Sequence, residues 1–333
     1  MVDKGAVLQR LERGEISVAE AIDGMRAVNG EGGPVAVSAD GMPVLTRQER
    51  LRQLAAGAPA LQDPALLAGA AGQEQAAWPW PDVEWQWVWQ NPFGPQHIDH
   101  AVALDGGDNL CAVFYEGDVR VGRAQGESME VGGAFYDMRL GRVGRRHYAA
   151  ASAGSADLSL PAMGEVVIGT LPGDLHIAGA KAQRLKASCQ SGACRLENIE
   201  GDVDVDLRGS DLNAVDLRGK LTVRGLRAGV RGRLLACAEI DIEVDGPIQL
   251  DLGAIEAGRV RCVAHTGDIE VSLSEGAALD LKAEAPAGGV ASCSPCWSAL
   301  RGRSPVELDG AINGGGACVE LKAAQGQIFL HIA

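Results

Sequence analysis

Aromatic residues are scarce: Phe 4, Tyr 3 and Trp 6 make up 4% of the 333 residues. A core arranged around large rings is therefore excluded, and Val, Leu, Ile and Ala have to fill the interior in thin layers. Positive charge is short as well, with 30 Lys and Arg against 44 Asp and Glu and a net charge of −14. That balance excludes the basic footprint that nucleic-acid phosphates need, and it argues against plain electrostatic docking on anionic lipid. No stretch reaches the roughly eighteen apolar residues of a membrane span. Met1-Val-Asp-Lys4 opens no signal-peptide pattern. The expected location is the cytoplasm, with peripheral membrane contact as its only extension.

Catalytic and metal-binding signatures are missing too. The eight cysteines are scattered through apolar or alternating contexts, as buried reduced thiols are. Cys293-Ser-Pro-Cys296 has no second pair at zinc spacing, so neither a metal nor a cofactor is expected. The six histidines are dispersed, His97 and His100 being the one close pair, and there is no Gly-x-Ser-x-Gly elbow or His-Glu-x-x-His pair. The glycines are spread along the chain instead of being packed ahead of a helix, which removes the phosphate loop. The expectation is a protein that is not an enzyme.

What the chain does have is a repeated phrase. Gly117-Asp-Val-Arg-Val121, Gly173-Asp-Leu-His-Ile177, Gly201-Asp-Val-Asp-Val205 and Gly267-Asp-Ile-Glu-Val271 are one five-residue word. Gly192-Ala-Cys-Arg-Leu196, Gly219-Lys-Leu-Thr-Val223 and Gly246-Pro-Ile-Gln-Leu250 keep its glycine and alternation. Each copy reads as a short strand with period-2 alternation behind a residue that tolerates positive φ. From Gly173 to Gly267 the glycines fall 19, 9, 18, 27 and 21 residues apart, near multiples of nine, as if each coil held two strands. One such strand buries a single face and cannot fold alone; stacked copies can. The expected fold is mainly β, a parallel β-helix or β-solenoid with a small N-terminal α-helical module.

Three regions follow. Residues 1–28 read as a helical hairpin: Leu8 and Leu11 lie on one stripe, and Ser17-Val-Ala-Glu20 caps a second helix carrying Ile22 and Met25. Helices this short are marginal alone, so Leu8, Leu11, Ile22 and Met25 are the expected self-association surface. The acidic residues Glu12, Glu15, Glu20 and Asp23 make this hairpin a poor DNA reader. Residues 29–97 read as a linker with short helices near 46–57 and 63–67, ending in a Trp-rich segment. There Trp85, Trp87 and Trp89 alternate along an extended strand and share one face. They form either a lid over the first coil or a contact for a partner or membrane surface. Residues 98–333 are the solenoid, whose final strand leaves an edge that has to be capped or used.

The most pointed acidic pattern lies inside the repeats. Asp202, Asp204 and Asp206 alternate with Val203, Val205 and Leu207, and Asp241, Glu243 and Asp245 alternate with Ile242 and Val244. Each trio is placed on the solvent side, with neighbours about 6.6 Å apart over two strand steps. Stacked together with Asp268 and Glu270 they would form an acidic ladder able to hold a cation or cationic peptide. At carboxyl separations of about 5 to 9.5 Å they would also suit glycoside hydrolysis. Otherwise they are a solvated face that keeps the sheet soluble.

Thr266-Gly-Asp-Ile-Glu-Val-Ser-Leu273, Leu308-Asp-Gly-Ala-Ile-Asn-Gly-Gly-Gly316 and Val319-Glu-Leu-Lys-Ala-Ala-Gln-Gly-Gln-Ile328 resemble the putative-adhesin family of bacterial β-solenoids over roughly residues 155–332. Thr266-Gly-Asp268 keeps the family's Ser/Thr-Gly-Asp pattern, whereas Pro172-Gly-Asp174, Glu200-Gly-Asp202 and Gln325-Gly-Gln327 depart from it. The segment from Leu8 to Ala21 resembles the SHOCT-like helical modules of bacterial envelope-stress proteins. The resemblance implies a non-enzymatic binding or scaffolding role near the cell envelope, which adds an envelope protein to the second copy already expected from the hairpin. A polysaccharide-acting β-helix enzyme and a solenoid polymer of cytoskeletal type are the alternatives.

Overall fold

Two hydrogen-bonded faces run through the described part of this protein, and every described strand belongs to one or both. The computed structural model describes residues 86–90, 95–104, 107–234, 236–253, 258–292 and 306–332, all within the unit Pro81–Ala333. These residues are mainly β, with no helix among them. The helical hairpin expected at 1–28, the short helices of the linker, Trp85 and Cys293-Ser-Pro-Cys296 lie outside them.

The repeat is built from pairs of strands. They are β7 (Met163–Leu171) with β8 (Leu175–Ala178), β9 (Lys181–Gln190) with β10 (Ala193–Glu197), β11 (Glu200–Arg208) with β12 (Asp211–Val215), β13 (Arg218–Leu226) with β14 (Val230–Arg233), β15 (Ala236–Val244) with β16 (Ile248–Gly253), and β17 (Arg259–Ala264) with β18 (Ile269–Leu273). The first members of these pairs stack in parallel on one face, here face A, and the second members on face B. Val205 lies beside Ala187 and Val223, and Leu212 beside Cys194 and Val230, each one coil of 18 residues apart or nearly so. The glycine spacings follow directly. Gly201 and Gly219 open strands of face A and Gly173, Gly192, Gly246 and Gly267 open strands of face B, so 9 is a half-coil and 27 a coil and a half.

Period-2 alternation then writes the interior as stacked rows. On face A one row reads Ile168, Ala187, Val205, Val223, Ile242, Cys262, all buried. On face B another reads Leu175, Cys194, Leu212, Val230, Ile248, Ile269. Corners demand glycine where coils touch: a Cβ on Gly173 would lie 2.0 Å from the carbonyl oxygen of Gly117, and one on Gly267 2.3 Å from the carbonyl carbon of Gly246.

Both ends depart from the simple spiral. Ahead of the repeat come β1 (Gln86–Gln90), β2 (Gln96–Ala103), β3 (Asn109–Tyr115), β4 (Asp118–Arg123), β5 (Ser128–Val143) and β6 (Arg146–Leu160). The coil of β3 and β4 stacks on β7 and β8, and the long β6 then runs across both faces, pairing in parallel first with β3 and then with β4. β5 returns antiparallel to β6, and β1 and β2 pair antiparallel with the two halves of β5. Ser128 to Val143 form one 16-residue strand, long enough to run along both faces.

At the other end the order is shuffled. After β18 come β19 (Leu279–Glu284), β20 (Val290–Ser292), β21 (Glu307–Ile312), β22 (Ala317–Ala323) and β23 (Ile328–Ile332). β22 and β23 slot between the coil β17/β18 and the strands β19 and β20, and β21 closes on β19 antiparallel. The final strand is thus an inner rung between β18 and β20, and leaves no edge of its own to be capped or used.

Candidate functional site

The outward residues of face A form rows of alternating charge across the coils. One row is Glu165, Arg184, Asp202, then Lys220, Glu239, Arg259; the next includes Lys186, Asp204, Thr222, Asp241, Arg261 and Glu320. Parallel strands lie about 4.8 Å apart, so like charges in a row would repel and alternating ones neutralise each other. Arg184 grips Asp204 through two nitrogens at 2.9 and 2.6 Å. Asp241 takes Arg224 at 2.5 Å and Arg261 at 2.9 Å, and Arg261 also reaches Glu243 at 3.3 Å. Lys220 contacts Glu239, and His265 lies 3.4 Å from Glu243. Partial burial raises the Asp241 carboxyl, but the hydrogen bonds from Arg224 and Arg261 outweigh it and leave the group below the usual carboxylate range.

Both predicted trios do face outward, yet they do not meet. β11 and β15 are separated by β13 with its Lys220 and Arg224, and Asp268 belongs to the corner leading into β18 on face B. The side-by-side carboxylates required for a hydrolase groove are not formed by these strands. Among the described residues no group of three His, Cys, Asp or Glu is placed to hold a metal ion.

The aspartate of the repeated word has a different task. Asp118 accepts the N–H of Asp174 at 3.3 Å, Asp174 that of Ala193 at 2.7 Å, Asp202 that of Lys220 at 3.3 Å, and Asp268 that of Gln327 at 2.8 Å. Asp211 and Asp245 do the same for Gly229 and Arg227. Each carboxylate bridges to the adjacent coil at a corner, where a backbone donor would otherwise lack a partner. A shallow depression of about 370 Å³ at one such corner is lined by Gly192, Ala193, Ser210, Asp211 and Arg227, but Asp211 is already engaged in this way.

Face B carries Arg120, His176, Arg195, Asn213, Arg231, Gln249 and Glu270 in one outward row. Glu197 gathers Arg195 at 2.5 Å and His176 at 3.3 Å. The hydrogen bond from Arg195 is the main reason its carboxyl is held low.

Two features escape a reading by motif. Asp108, fully buried, receives His147 at 3.0 Å and Arg145 at 3.2 Å, tying the start of β3 to the β5–β6 hairpin. Parallel pairing of β3 with β6 brings these residues together across 39 positions, which no local spacing signals. Second, Cys111, Val113, Tyr148 and Ala150 occupy outward positions of β3 and β6, yet they are as buried as the core. Burial pushes the Cys111 thiol and the Tyr115 hydroxyl up to about 12, which disfavours the thiolate. Trp87 and Trp89 lie on β1, opposite Arg139 and Met138 of β5. The predicted hairpin residues Leu8, Leu11, Ile22 and Met25 fall outside the described residues.

Neither a protein-family model nor a curated protein matches this sequence. Among solved structures, a putative cell adhesion protein from Clostridium sporogenes aligns with 72% of this chain and 100% of its own, at 12% identity and a TM-score of 0.27. A putative adhesin from Bacteroides fragilis aligns with 71% of this chain and 97% of its own, at 9% identity and a TM-score of 0.30. At such values the likeness transfers neither a residue nor a role.

Proposed function

We propose that this protein is a non-enzymatic, self-associating β-solenoid scaffold of the adhesin type, acting in the cytoplasm or at the membrane periphery in the service of the cell envelope. One observation carries the reading: the six carboxylates that would make a reactive or metal-binding ladder are each matched within the sheet. Asp204, Asp241 and Glu243 hold arginines, Asp206 lies 3.8 Å from Arg208, and Asp202 and Asp245 accept backbone N–H groups. Carboxylates so matched are held in place by the fold, and a glycosidase needs one that is free to take up and release a proton. Rows of neutralised charge suit a rigid spacer that presents its ends, and the hairpin expected from the sequence of residues 1–28, to partners: a second copy, an envelope protein or a cationic peptide.

The full-length protein tests this. Sedimentation velocity should show an assembly larger than the monomer, and Leu11→Asp, which breaks the apolar stripe of the hairpin, should reduce it without loss of β signal in circular dichroism. Release of reducing ends from any of a panel of bacterial polysaccharides, abolished by Asp241→Asn, would overturn the proposal in favour of the β-helix enzyme. A strictly monomeric wild type would overturn its self-associating part.

A further inference from the structure

β2 is the outermost described strand of face B at the end where the chain enters. Its eight residues, Gln-His-Ile-Asp-His-Ala-Val-Ala, pair with β5 in unbroken antiparallel register from Gln96–Phe135 to Ala103–Ser128. Among the described residues β5 is its only strand partner, so the backbone N–H and C=O groups along its other side meet no described strand. Folded proteins usually protect such an edge with lysine, proline, a bulge or shortness. Within its bounds β2 carries no Lys, Pro or register shift and is longer than most of the described strands; its exposed charge is Asp99, beside His97. Ile98 and Val102 pack on the core, while His97 and Asp99 stand in solvent with side chains 72% and 81% exposed.

The residues on this edge are also self-complementary. A second copy related by a two-fold axis perpendicular to the sheet pairs β2 with itself antiparallel and keeps like faces together. Only axes centred on a residue preserve the faces. Centring on Asp99 sets two carboxylates directly opposite, a destabilising arrangement, and centring on His100 sets two histidines opposite. Centring on Ile98 sets that side chain against its own copy, places His97 opposite Asp99 of the other copy twice, and sets Gln96 opposite His100. Within one strand His97 Nε2 is already 3.4 Å from Asp99 Oδ1, so these two groups share the outward side on which the cross-strand pairs would form.

We infer that the edge of β2 that meets no described strand is a homodimerisation site, joining the two copies of face B into one continuous sheet about a two-fold axis at Ile98. The inference rests on the self-associating reading above and adds a contact distinct from the helical hairpin. Sedimentation velocity of full-length proteins in the Leu11→Asp background separates the two. That variant should remain a dimer. His97→Asp, which sets a second carboxylate against Asp99 in both cross-strand pairs, should weaken the dimer about tenfold or more, and His97→Asp/Asp99→His, which restores opposite partners, should recover it. Both positions are exposed, so unchanged circular dichroism and melting are expected and keep the comparison clean. A monomeric Leu11→Asp protein alongside an oligomeric wild type would overturn the edge contact and leave self-association standing. A monomeric wild type would overturn both. A dimer indifferent to His97→Asp, or one not recovered by the double exchange, would overturn the Ile98-centred pairing.

Discussion

Val205 and Asp204 are neighbours in sequence and opposites in environment, which makes them the sharpest test of the coil register. Val205 is 3% exposed and stacked between Ala187 and Val223 in an aliphatic row. Replacing it with Asp forfeits the burial of the valine side chain, about 1.5–3 kcal/mol, and places a carboxyl where no donor waits, which costs at least about 2 kcal/mol more even if it stays protonated. The sum is about 4 kcal/mol or more. For a domain of this size each kcal/mol moves the midpoint by about 2–4 °C, so Val205→Asp should lower Tm by about 10 °C or prevent folding outright. Asp204→Asn weakens a surface pair with Arg184 whose partners are 35% and 54% exposed; such pairs contribute about 0–1 kcal/mol, so Tm should move by less than about 4 °C. Far-UV circular dichroism during heating gives both values. Hydrogen exchange should place the Val205→Asp loss in β9, β11 and β13, because stacked coils feel their nearest neighbours most. Equal midpoints for the two variants would refute the assignment of inward and outward positions.

Other perturbations probe the corners and the buried charges. Gly267→Ala forces a Cβ to within 2.3 Å of Gly246 and Pro247 backbone atoms and should cost about 3 kcal/mol by chemical denaturation, whereas Gly276→Ala, with nothing within 4 Å, should be nearly silent. Asp108→Ala leaves the buried His147 ring without its carboxylate and should cost about 1–3 kcal/mol, read from the denaturation midpoint at constant slope. Asp241 has a folded-state pKa below its unfolded one, so its contribution is present above the unfolded value and is lost as pH falls through the folded value. Asp241→Asn should therefore be less stable than wild type at neutral pH and show a shallower loss of stability on acidification in urea titrations across pH 3 to 7, roughly the carboxylate range and above.

The coil itself is legible in the sequence because it is local: Val203, Val205 and Leu207 alternate with Asp202, Asp204 and Asp206, and each word begins at a corner glycine. β6 is harder to see. His-Tyr-Ala-Ala-Ala-Ser-Ala-Gly-Ser-Ala, from His147 to Ala156, has few β-branched residues and no alternation, since several residues on both of its sides are buried. The partners of the acidic trios were within reach, though not at the spacings of a single strand. Arg184 and Asp202, Asp202 and Lys220, Lys220 and Glu239, Glu239 and Arg259 lie 18, 18, 19 and 20 residues apart. Read at the coil period, the acidic stripes show their neutralising arginines and lysines. The interleaving of β22 and β23, and the meeting of Asp108 with His147, depend on which coil the chain returns to, and no residue pattern encodes that choice.

That interleaving sets a condition on biosynthesis. Among the described residues β20 finds its partner only in β23, and β19 meets β17 only through β22. About 40 residues separate the end of β20 from the end of β23, and at ribosomal rates roughly 2–8 s pass before the missing rung emerges. Until then the stack can extend only to β17 and β18, with β19 able to pair with β21 and β20 still without its described partner. A chain cut short before β22 would display the exposed rim of β17 and β18 permanently, a surface open to chaperones and proteases. Completion of the stack therefore reports that translation has passed Ile332.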